Sequence, residues 1–195
     1  MENTSVLNPQ IPIEKYFEEL SRIPRESGNE EAVSAYIVRF AQERGLSYTQ
    51  DALWNDVIYK DASPDKQAAE PVILRVHMDM VCAKTAACSH DFQKDPIALH
   101  LEDGILTADG TTLGADDGFG AAYMLAVLED DTLPHPPLEC VFTVQEETGT
   151  IRAEQLDKSL LKAKRMINLD GDEEGATFEA CSCSDRVLLD CSYEE

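Results

Sequence analysis

The feature that most restricts the fold is residues 71–81, PVILRVHMDMV, in which apolar side chains occupy consecutive rather than alternating positions. A strand with one face in water alternates apolar and polar residues, whereas a strand covered on both faces does not. The run therefore predicts a central strand with other structure packed on each side. His77 and Asp79 stand near its end, where a buried strand reaches solvent.

Helical and strand-like segments alternate along the rest of the chain. The alternation predicts an α/β fold, in which a mostly parallel central sheet is flanked by helices on both faces. Residues 97–109 predict a hairpin that turns on Asp103 and Gly104. Helices are predicted for residues 11–23, 27–45, 118–129 and 153–164, and strands for 46–50, 56–60, 71–81, 138–147, 165–171 and two later runs.

The composition limits the expected partners and compartment. The 195 residues carry 38 acidic and 16 basic side chains, a formal net charge of −22, which repels nucleic acid and anionic membranes. There is no signal-peptide pattern and no apolar run of about 18 residues, so we expect a cytoplasmic protein. The six cysteines include no Cys-x-x-Cys pair and are expected to be free thiols. Cys181 and Cys183, on one face of a predicted strand, are an alternative soft-metal site.

Four predicted elements begin or end in acidic side chains or histidine. Carboxyl ends of parallel strands meet at one sheet edge, so these side chains are expected to lie close together. Carboxylates that close repel one another unless a cation neutralises them. The alternative is a set of solvated strand ends and, for Asp116 and Asp117, a solvated helix start. The converging residues are His77, Asp79, Asp116, Glu146, Glu147 and Asp170.

This mixture of ligand types points to particular metals. Histidine nitrogen together with carboxylate oxygen favours Zn²⁺, with Mn²⁺ or Co²⁺ as alternatives. Residues two apart on a strand share a face, so His77 can bind metal while Asp79 orients its ring. A carboxylate such as Asp116 can bridge two ions, an arrangement with which many hydrolases activate water.

Four motifs occur in an order and at separations that resemble the dinuclear zinc peptidase family, which includes aminoacylases, glutamate carboxypeptidases and bacterial dipeptidases. They are residues 76–81 (VHMDMV), 110–120 (GTTLGADDGFG), 143–149 (TVQEETG) and 167–175 (INLDGDEEG). Within that family, residues 89–97 (SHDFQKDPI) resemble the aminoacyl-histidine dipeptidase branch, which is carnosinase-like. The resemblance implies a zinc-dependent hydrolase of small peptides, in particular Xaa-His dipeptides.

The resemblance also implies roles for the metal ligands. His77 and Asp170 would bind one zinc ion, Asp116 would bridge both ions, and Glu147 would bind the second. It further implies a cis peptide bond between Asp116 and Asp117, with Asp116 facing the metals.

Two further roles and a domain assignment follow from the same resemblance. Asp79 would orient His77, and Glu146 would be the general base that takes a proton from the attacking water. Family members continue into a lid domain and then supply a late histidine to the second zinc. We therefore expect residues 1–195 to be a partial catalytic domain that ends before the lid, with little activity of its own. A homodimer would form through the lid of a longer form.

Other functional classes fit less well. Residues 170–181 imitate a calcium-binding EF-hand loop, but the twelfth position holds Cys181 rather than glutamate. A serine or cysteine hydrolase is disfavoured because no G-x-S-x-G motif occurs and no cysteine lies in a motif that would pair it with a histidine. The remaining alternative is a non-catalytic remnant with a structural or vestigial metal site that acts in assembly. Glu146 distinguishes the enzyme from the remnant, because a scaffold needs no base beside its metal.

Overall fold

The computed structural model describes residues 5–150 and 152–171. It contains the predicted α/β fold, with a five-stranded sheet and a separate two-stranded hairpin. The elements are α1 (Pro12–Ser21), α2 (Glu31–Glu43), β1 (Ser47–Gln50), β2 (Asp56–Lys60), β3 (Val72–His77), β4 (Leu99–Glu102), β5 (Ile105–Ala108), α3 (Ala115–Glu129), β6 (Leu138–Thr143) and β7 (Arg165–Asn168), with 3₁₀ helices at Ala153–Gln155 and Lys158–Leu160.

The larger sheet has the order β1-β2-β6-β3-β7. Strands β6, β3 and β7 are parallel, whereas β2 pairs antiparallel with both β1 and β6. His77 at the end of β3 pairs with Thr143 at the end of β6, and Arg75 pairs with Asn168 at the end of β7. The carboxyl ends of three parallel strands thus meet at one edge, which is where ligand sites form in such sheets.

The two faces of the sheet are covered by different kinds of structure. Alternate strand residues such as Val76 and Phe142 pack into the main core with residues of α1, α2 and α3. On the other face, Val141 packs with Leu156 from the segment that holds the 3₁₀ helices. Strand β3 is therefore covered on both faces, which explains its unbroken apolar sequence.

The predicted helix at residues 153–164 was wrong. The chain there forms the two short 3₁₀ helices, and Leu156 between them has a non-helical ψ of 130°. Asp157 accepts a hydrogen bond from the backbone N–H of Ser159, a local bond that competes with the helical pattern. The segment's leucines instead pack against the second face of the sheet.

Other predictions were confirmed, and some lie outside the described residues. The hairpin turns on Asp103 and Gly104, both with positive φ, and the three described cysteines are free thiols. The two later β runs, the Cys181 and Cys183 pair, and most of the EF-hand-like loop at 170–181 fall outside the described residues. In the described part of the chain, no helix is both long and apolar enough to span a bilayer.

A buried lysine holds the end of α3. Lys60, at the end of β2, is 7% exposed, and its Nζ donates to the carbonyl oxygens of Val127, Leu128 and Asp130 at 3.2, 3.0 and 2.8 Å. These carbonyls lack partners within the helix, and a cation interacts favourably with the negative end of the helix dipole. The contact ties the carboxyl end of α3 to the sheet.

A buried carboxyl group at the start of β2 couples stability to pH. Asp56 is fully buried, and its Oδ2 accepts a hydrogen bond of 2.7 Å from Ser34 Oγ, while Oδ1 has no partner among the described residues. Burial raises the pKa of Asp56 from 3.8 to about 8. Between these values the folded chain holds a proton that the unfolded chain releases, so stability falls as pH rises.

We expect Asp56→Asn to remove this loss of stability. Above pH ~8 the variant should unfold with a free energy about 1–3 kcal/mol higher than the wild type, because no charge is buried. Urea denaturation from pH 4 to pH 9 measures the difference. Asp61→Asn, at an exposed position just beyond β2, is the matched control and should follow the wild type. Parallel pH profiles for Asp56→Asn and the wild type would contradict the prediction.

Candidate metal centre and active site

His77 lies at the end of β3 with both ring nitrogens facing oxygen atoms. The residue is 1% exposed. Its Nε2 is 3.0 Å from Asp116 Oδ1, and its Nδ1 is 3.1 Å from the backbone oxygen of Asp79 and 3.4 Å from Asp79 Oδ1. A carbonyl oxygen only accepts, so Nδ1 carries a proton and Nε2 is the nitrogen available to a metal ion.

The side chain of Asp79 joins three separate segments. It is fully buried. Its Oδ2 accepts hydrogen bonds from Ser27 Oγ at 2.7 Å and from the backbone N–H of Glu147 at 3.2 Å, while Oδ1 accepts from the N–H of Glu146 at 3.0 Å. These bonds and the one to His77 lower the pKa of Asp79 against the opposing effect of burial. Asp79 therefore stays charged and fixes its partners.

Asp116 and Asp117 form the turn into α3. Both have non-helical backbone angles, and the peptide bond between them is cis, as the resemblance implied. The Asp116 side chain is 66% exposed. Asp117 turns inward, where its Oδ2 accepts the backbone N–H of His77 at 3.2 Å. The adjacent carboxylates thus point to different surroundings, which limits their mutual repulsion.

Asp170 follows β7 and has a cationic neighbour that the sequence analysis missed. Arg75, on β3, donates from Nη1 to Asp170 Oδ2 at 3.0 Å and from Nη2 to Thr143 Oγ1 at 3.0 Å. Position 75 stands two residues before His77, so both side chains lie on the same face of β3, beside the end of the paired strand β7. Arg75 thereby links the ends of β3, β6 and β7.

Glu146 and Glu147 lie in a turn beyond the end of β6. Gln145, which precedes them, has a positive φ of 54°, and its N–H donates to Glu30 Oε1 at 3.1 Å. Glu30 is fully buried. Burial together with the neighbouring charges of Asp116 and Glu146 raises the pKa of Glu147. The turn is therefore held by two buried acids, Glu30 and Asp79.

Three of the six predicted residues bring ligand atoms together. Among the described residues, one nitrogen of His77 and one oxygen each of Asp116 and Asp170 lie within 4.8 Å of one another. Glu147 lies outside this group, and Asp79 and Glu146 adjoin it through the hydrogen bonds described above. One nitrogen with two carboxylate oxygens is a donor set that suits zinc or a similar divalent ion.

The charges around the cluster favour a cation. Burial alone would lower the pKa of His77, but its hydrogen bond to Asp79 and the carboxylate of Asp117 raise it to about 9. Burial raises the pKa of Asp117 to about 7. Bound protons thus balance part of the negative charge. A divalent ion that binds at His77 would release a proton from the ring.

The inward position of Asp117 and the roles of Ser27 and Glu30 were also missed by the sequence analysis. The sequence does contain one indication that the Asp117 side chain points inward. Gly120 follows it by three residues, and a Cβ atom there would overlap Asp117 Oδ1. The glycine marks the space that the buried carboxylate occupies.

The fold is that of peptidases. It superimposes on an aminoacylhistidine dipeptidase from Vibrio alginolyticus with a TM-score of 0.83 and 39% identity, covering 88% of this chain and 35% of that one. A tripeptidase from Staphylococcus aureus gives a TM-score of 0.68 at 26% identity, covering 86% of this chain and 45% of that one.

The chain belongs to the peptidase family M20/M25/M40, whose sequence profile matches residues 73–185. It is 40% identical over 182 residues to the cytosol non-specific dipeptidase of Escherichia coli (strain K12), covering 93% of this chain and 37% of that protein. The chain therefore spans little more than a third of the length of these two dipeptidases.

Gly120→Ala tests whether Asp117 needs the space beside it. Alanine improves helix propensity by about 1 kcal/mol, but the added Cβ must displace the Asp117 carboxylate from the His77 N–H. We expect a net loss of about 1–3 kcal/mol in the free energy of unfolding, measured by chemical denaturation. Gly171→Ala, where a Cβ meets no atom within 4 Å, is the control. Stability equal to the wild type for Gly120→Ala would show that Asp117 is not confined.

Proposed function

We propose that this chain is part of the catalytic domain of a metal-dependent dipeptidase. The observation that carries the proposal is the meeting of His77, Asp116 and Asp170 ligand atoms within 4.8 Å at the sheet edge, in a member of a peptidase family. A bound divalent ion at this position would polarise a peptide carbonyl and make a water molecule a stronger nucleophile. The remaining steps of the proposal concern the protein's own side chains.

The ligand roles that we propose are those that the family resemblance implies. His77 and Asp170 would hold one zinc ion, Asp116 would be shared between two ions, and Glu147 would hold the second. The Asp116 side chain is 66% exposed and contacts His77 through Oδ1, which leaves its second oxygen for another ion and so supports a shared role. The backbone N–H of Glu147 donates to Asp79 Oδ2 at 3.2 Å, so Glu147 is held by the carboxylate that also contacts His77, which supports a ligand role for Glu147. Mn²⁺ and Co²⁺ suit the same donors.

We propose that Glu146 is the general base and Asp79 the residue that orients His77. Glu146 takes a proton from the attacking water and delivers it to the leaving amine. The support is positional, because Asp79 accepts the backbone N–H of Glu146 at 3.0 Å while its Oδ1 also lies 3.4 Å from His77 Nδ1. One buried carboxylate thus sets both the histidine ring and the backbone of the base.

Dipeptides are the proposed substrates, with Xaa-His dipeptides as the preferred class. The support is the similarity to one protein named a cytosol non-specific dipeptidase and another named an aminoacylhistidine dipeptidase. We also propose a cytoplasmic location, and a homodimer in any form of the protein that carries a lid domain. Residues 1–195 would form part of the catalytic domain, so full activity needs groups beyond the six site residues described here.

Metal titration tests the proposed ligands. We expect the purified chain to bind one zinc ion more tightly than a second, because three of its described ligand atoms already converge. His77→Gln should weaken the tighter site by more than about 100-fold, since even residues that only orient ligands contribute 10- to 100-fold. Calorimetry against a competing chelator measures the affinity.

His100→Gln is the matched control for the metal titration. His100 lies on the hairpin strand β4 beside Glu102, with 61% of its side chain exposed. Its replacement should leave zinc affinity unchanged. Equal losses in both histidine variants, or none in His77→Gln, would refute the ligand assignment.

Glu146→Gln separates an enzyme from a metal-binding scaffold. In the natural protein that contains this sequence, turnover of β-alanyl-histidine should fall by about 10²- to 10⁴-fold, with zinc content and melting temperature close to those of the wild type. Glu154→Gln, on an exposed 3₁₀ helix, should keep its activity. If Glu146→Gln hydrolyses the dipeptide at the wild-type rate, Glu146 is not the base. If the wild-type protein binds zinc but hydrolyses no dipeptide, the alternative of a non-catalytic remnant is favoured.

A further inference from the structure

Arg25 is buried between the two loops that carry the candidate ligands. The residue is 2% exposed and lies between α1 and α2. Its Nη1 donates to the backbone oxygens of Met78 at 3.0 Å and Asp79 at 3.1 Å, and its Nη2 donates to the backbone oxygen of Gly114. A single guanidinium group therefore joins the loop after β3 to the turn before α3.

One of these acceptors also fixes the orientation of the His77 ring. The backbone oxygen of Asp79 accepts from Arg25 Nη1 and lies 3.1 Å from His77 Nδ1. Any shift of that carbonyl group changes the direction in which His77 presents Nε2. Because Gly114 stands two residues before Asp116, the same guanidinium also limits where the Asp116 carboxylate lies. Arg25 thus acts on both partners of the 3.0 Å contact between His77 and Asp116.

Two glycines leave the space that Arg25 fills. A Cβ atom at Gly114 would lie 2.6 Å from Arg25 Nη2, and one at Gly118 would lie 2.5 Å from the same atom. Such distances do not occur between real atoms of these types, so a side chain at either position would displace the guanidinium. The two glycines that flank Ala-Asp-Asp in the second motif are therefore matched to an arginine about 90 residues earlier in the sequence.

The charge of Arg25 also suits its position. Its guanidinium interacts favourably with Asp79, Asp117 and Asp116, and burial lowers its pKa only to about 10, so it remains cationic at neutral pH. A buried cation with several acceptors is far less costly than an unpaired one. Arginine suits the position better than lysine because its planar fork donates in several fixed directions.

We infer that Arg25 is a positioning residue for the metal centre, which fixes the separation and orientation of His77 and Asp116 by bonding the backbone of both loops. This inference rests on the proposed function. The role is distinct from simple docking of the loops, because the backbone oxygen of Arg25 also accepts the N–H of Met80 at 3.2 Å. That backbone contact remains when the side chain is replaced.

Cobalt binding tests the inference, since the absorption bands of Co²⁺ depend on the number and geometry of its ligands. Arg25→Met and Arg25→Lys should each weaken Co²⁺ binding about 10- to 100-fold and change the visible spectrum of the bound ion. Lysine should not restore the wild-type spectrum, because a single ammonium group cannot span both loops. Arg39→Lys, on the exposed face of α2, is the control and should match the wild type.

Chemical rescue and a paired substitution exclude a purely structural role. Methylguanidine added to Arg25→Ala should recover Co²⁺ affinity and spectrum, whereas methylamine should not. Gly118→Ala should weaken Co²⁺ binding in the wild type but have little effect in the Arg25→Ala background, because its Cβ then meets no guanidinium. Gly118→Ala in the otherwise wild-type chain also gives a measurement in a variant that retains Arg25, should Arg25→Ala fail to fold.

The outcomes are distinguishable from those for the proposed function. If folded Arg25→Met binds Co²⁺ with the affinity and spectrum of the wild type, or if Gly118→Ala does not perturb the wild-type spectrum, Arg25 does not position the centre. If the wild-type chain itself binds no Co²⁺, the proposed metal centre fails and the inference fails with it. If Arg25→Met changes the free energy of unfolding but not the Co²⁺ affinity or spectrum, Arg25 has only a structural role.

Discussion

The buried carboxylate of Asp79 is the interaction on which the arrangement of the site depends. It receives hydrogen bonds from Ser27 and from the backbone of Glu146 and Glu147, and it stands beside the ring of His77. These partners come from the loop between α1 and α2, the turn after β6 and the end of β3. Because one charged group needs all of these donors, the three segments are held in a single arrangement before any ligand binds.

The acidic character of the chain as a whole is partly offset beneath the site. The sequence has a formal net charge of −22, yet Arg25 contacts the loops that carry Asp79 and Asp116, and Arg75 contacts Asp170. Two arginines thus offset part of the repulsion among carboxylates that converge within a few ångströms. The exposed side chain of Asp116 leaves negative charge on the outward side of the cluster, which would attract a cation.

Patterns confined to short stretches of sequence were sufficient for most of the fold and for the convergence of three candidate residues. The apolar run of β3 and the strand-end rule indicated His77 and Asp170, and the acidic start of α3 indicated Asp116, because these patterns are local. The helix prediction for residues 153–164 was wrong because Asp157 accepts a local hydrogen bond from the backbone N–H of Ser159. Arg25 could not be found in this way, since its acceptors lie 53 to 89 residues away and no spacing encodes them.

Helix α3 has a buried cation at each end, with Arg25 at Gly114 and Lys60 at the last carbonyls. Its buried face packs small residues such as Ala121 and Ala122 together with the larger side chains of Met124 and Leu125. The polar anchors at the ends add directional bonds to this packing, which is itself not directional. Asp116, near the amino end of the helix, is therefore held by a directional bond at Gly114 as well as by the apolar face of the helix.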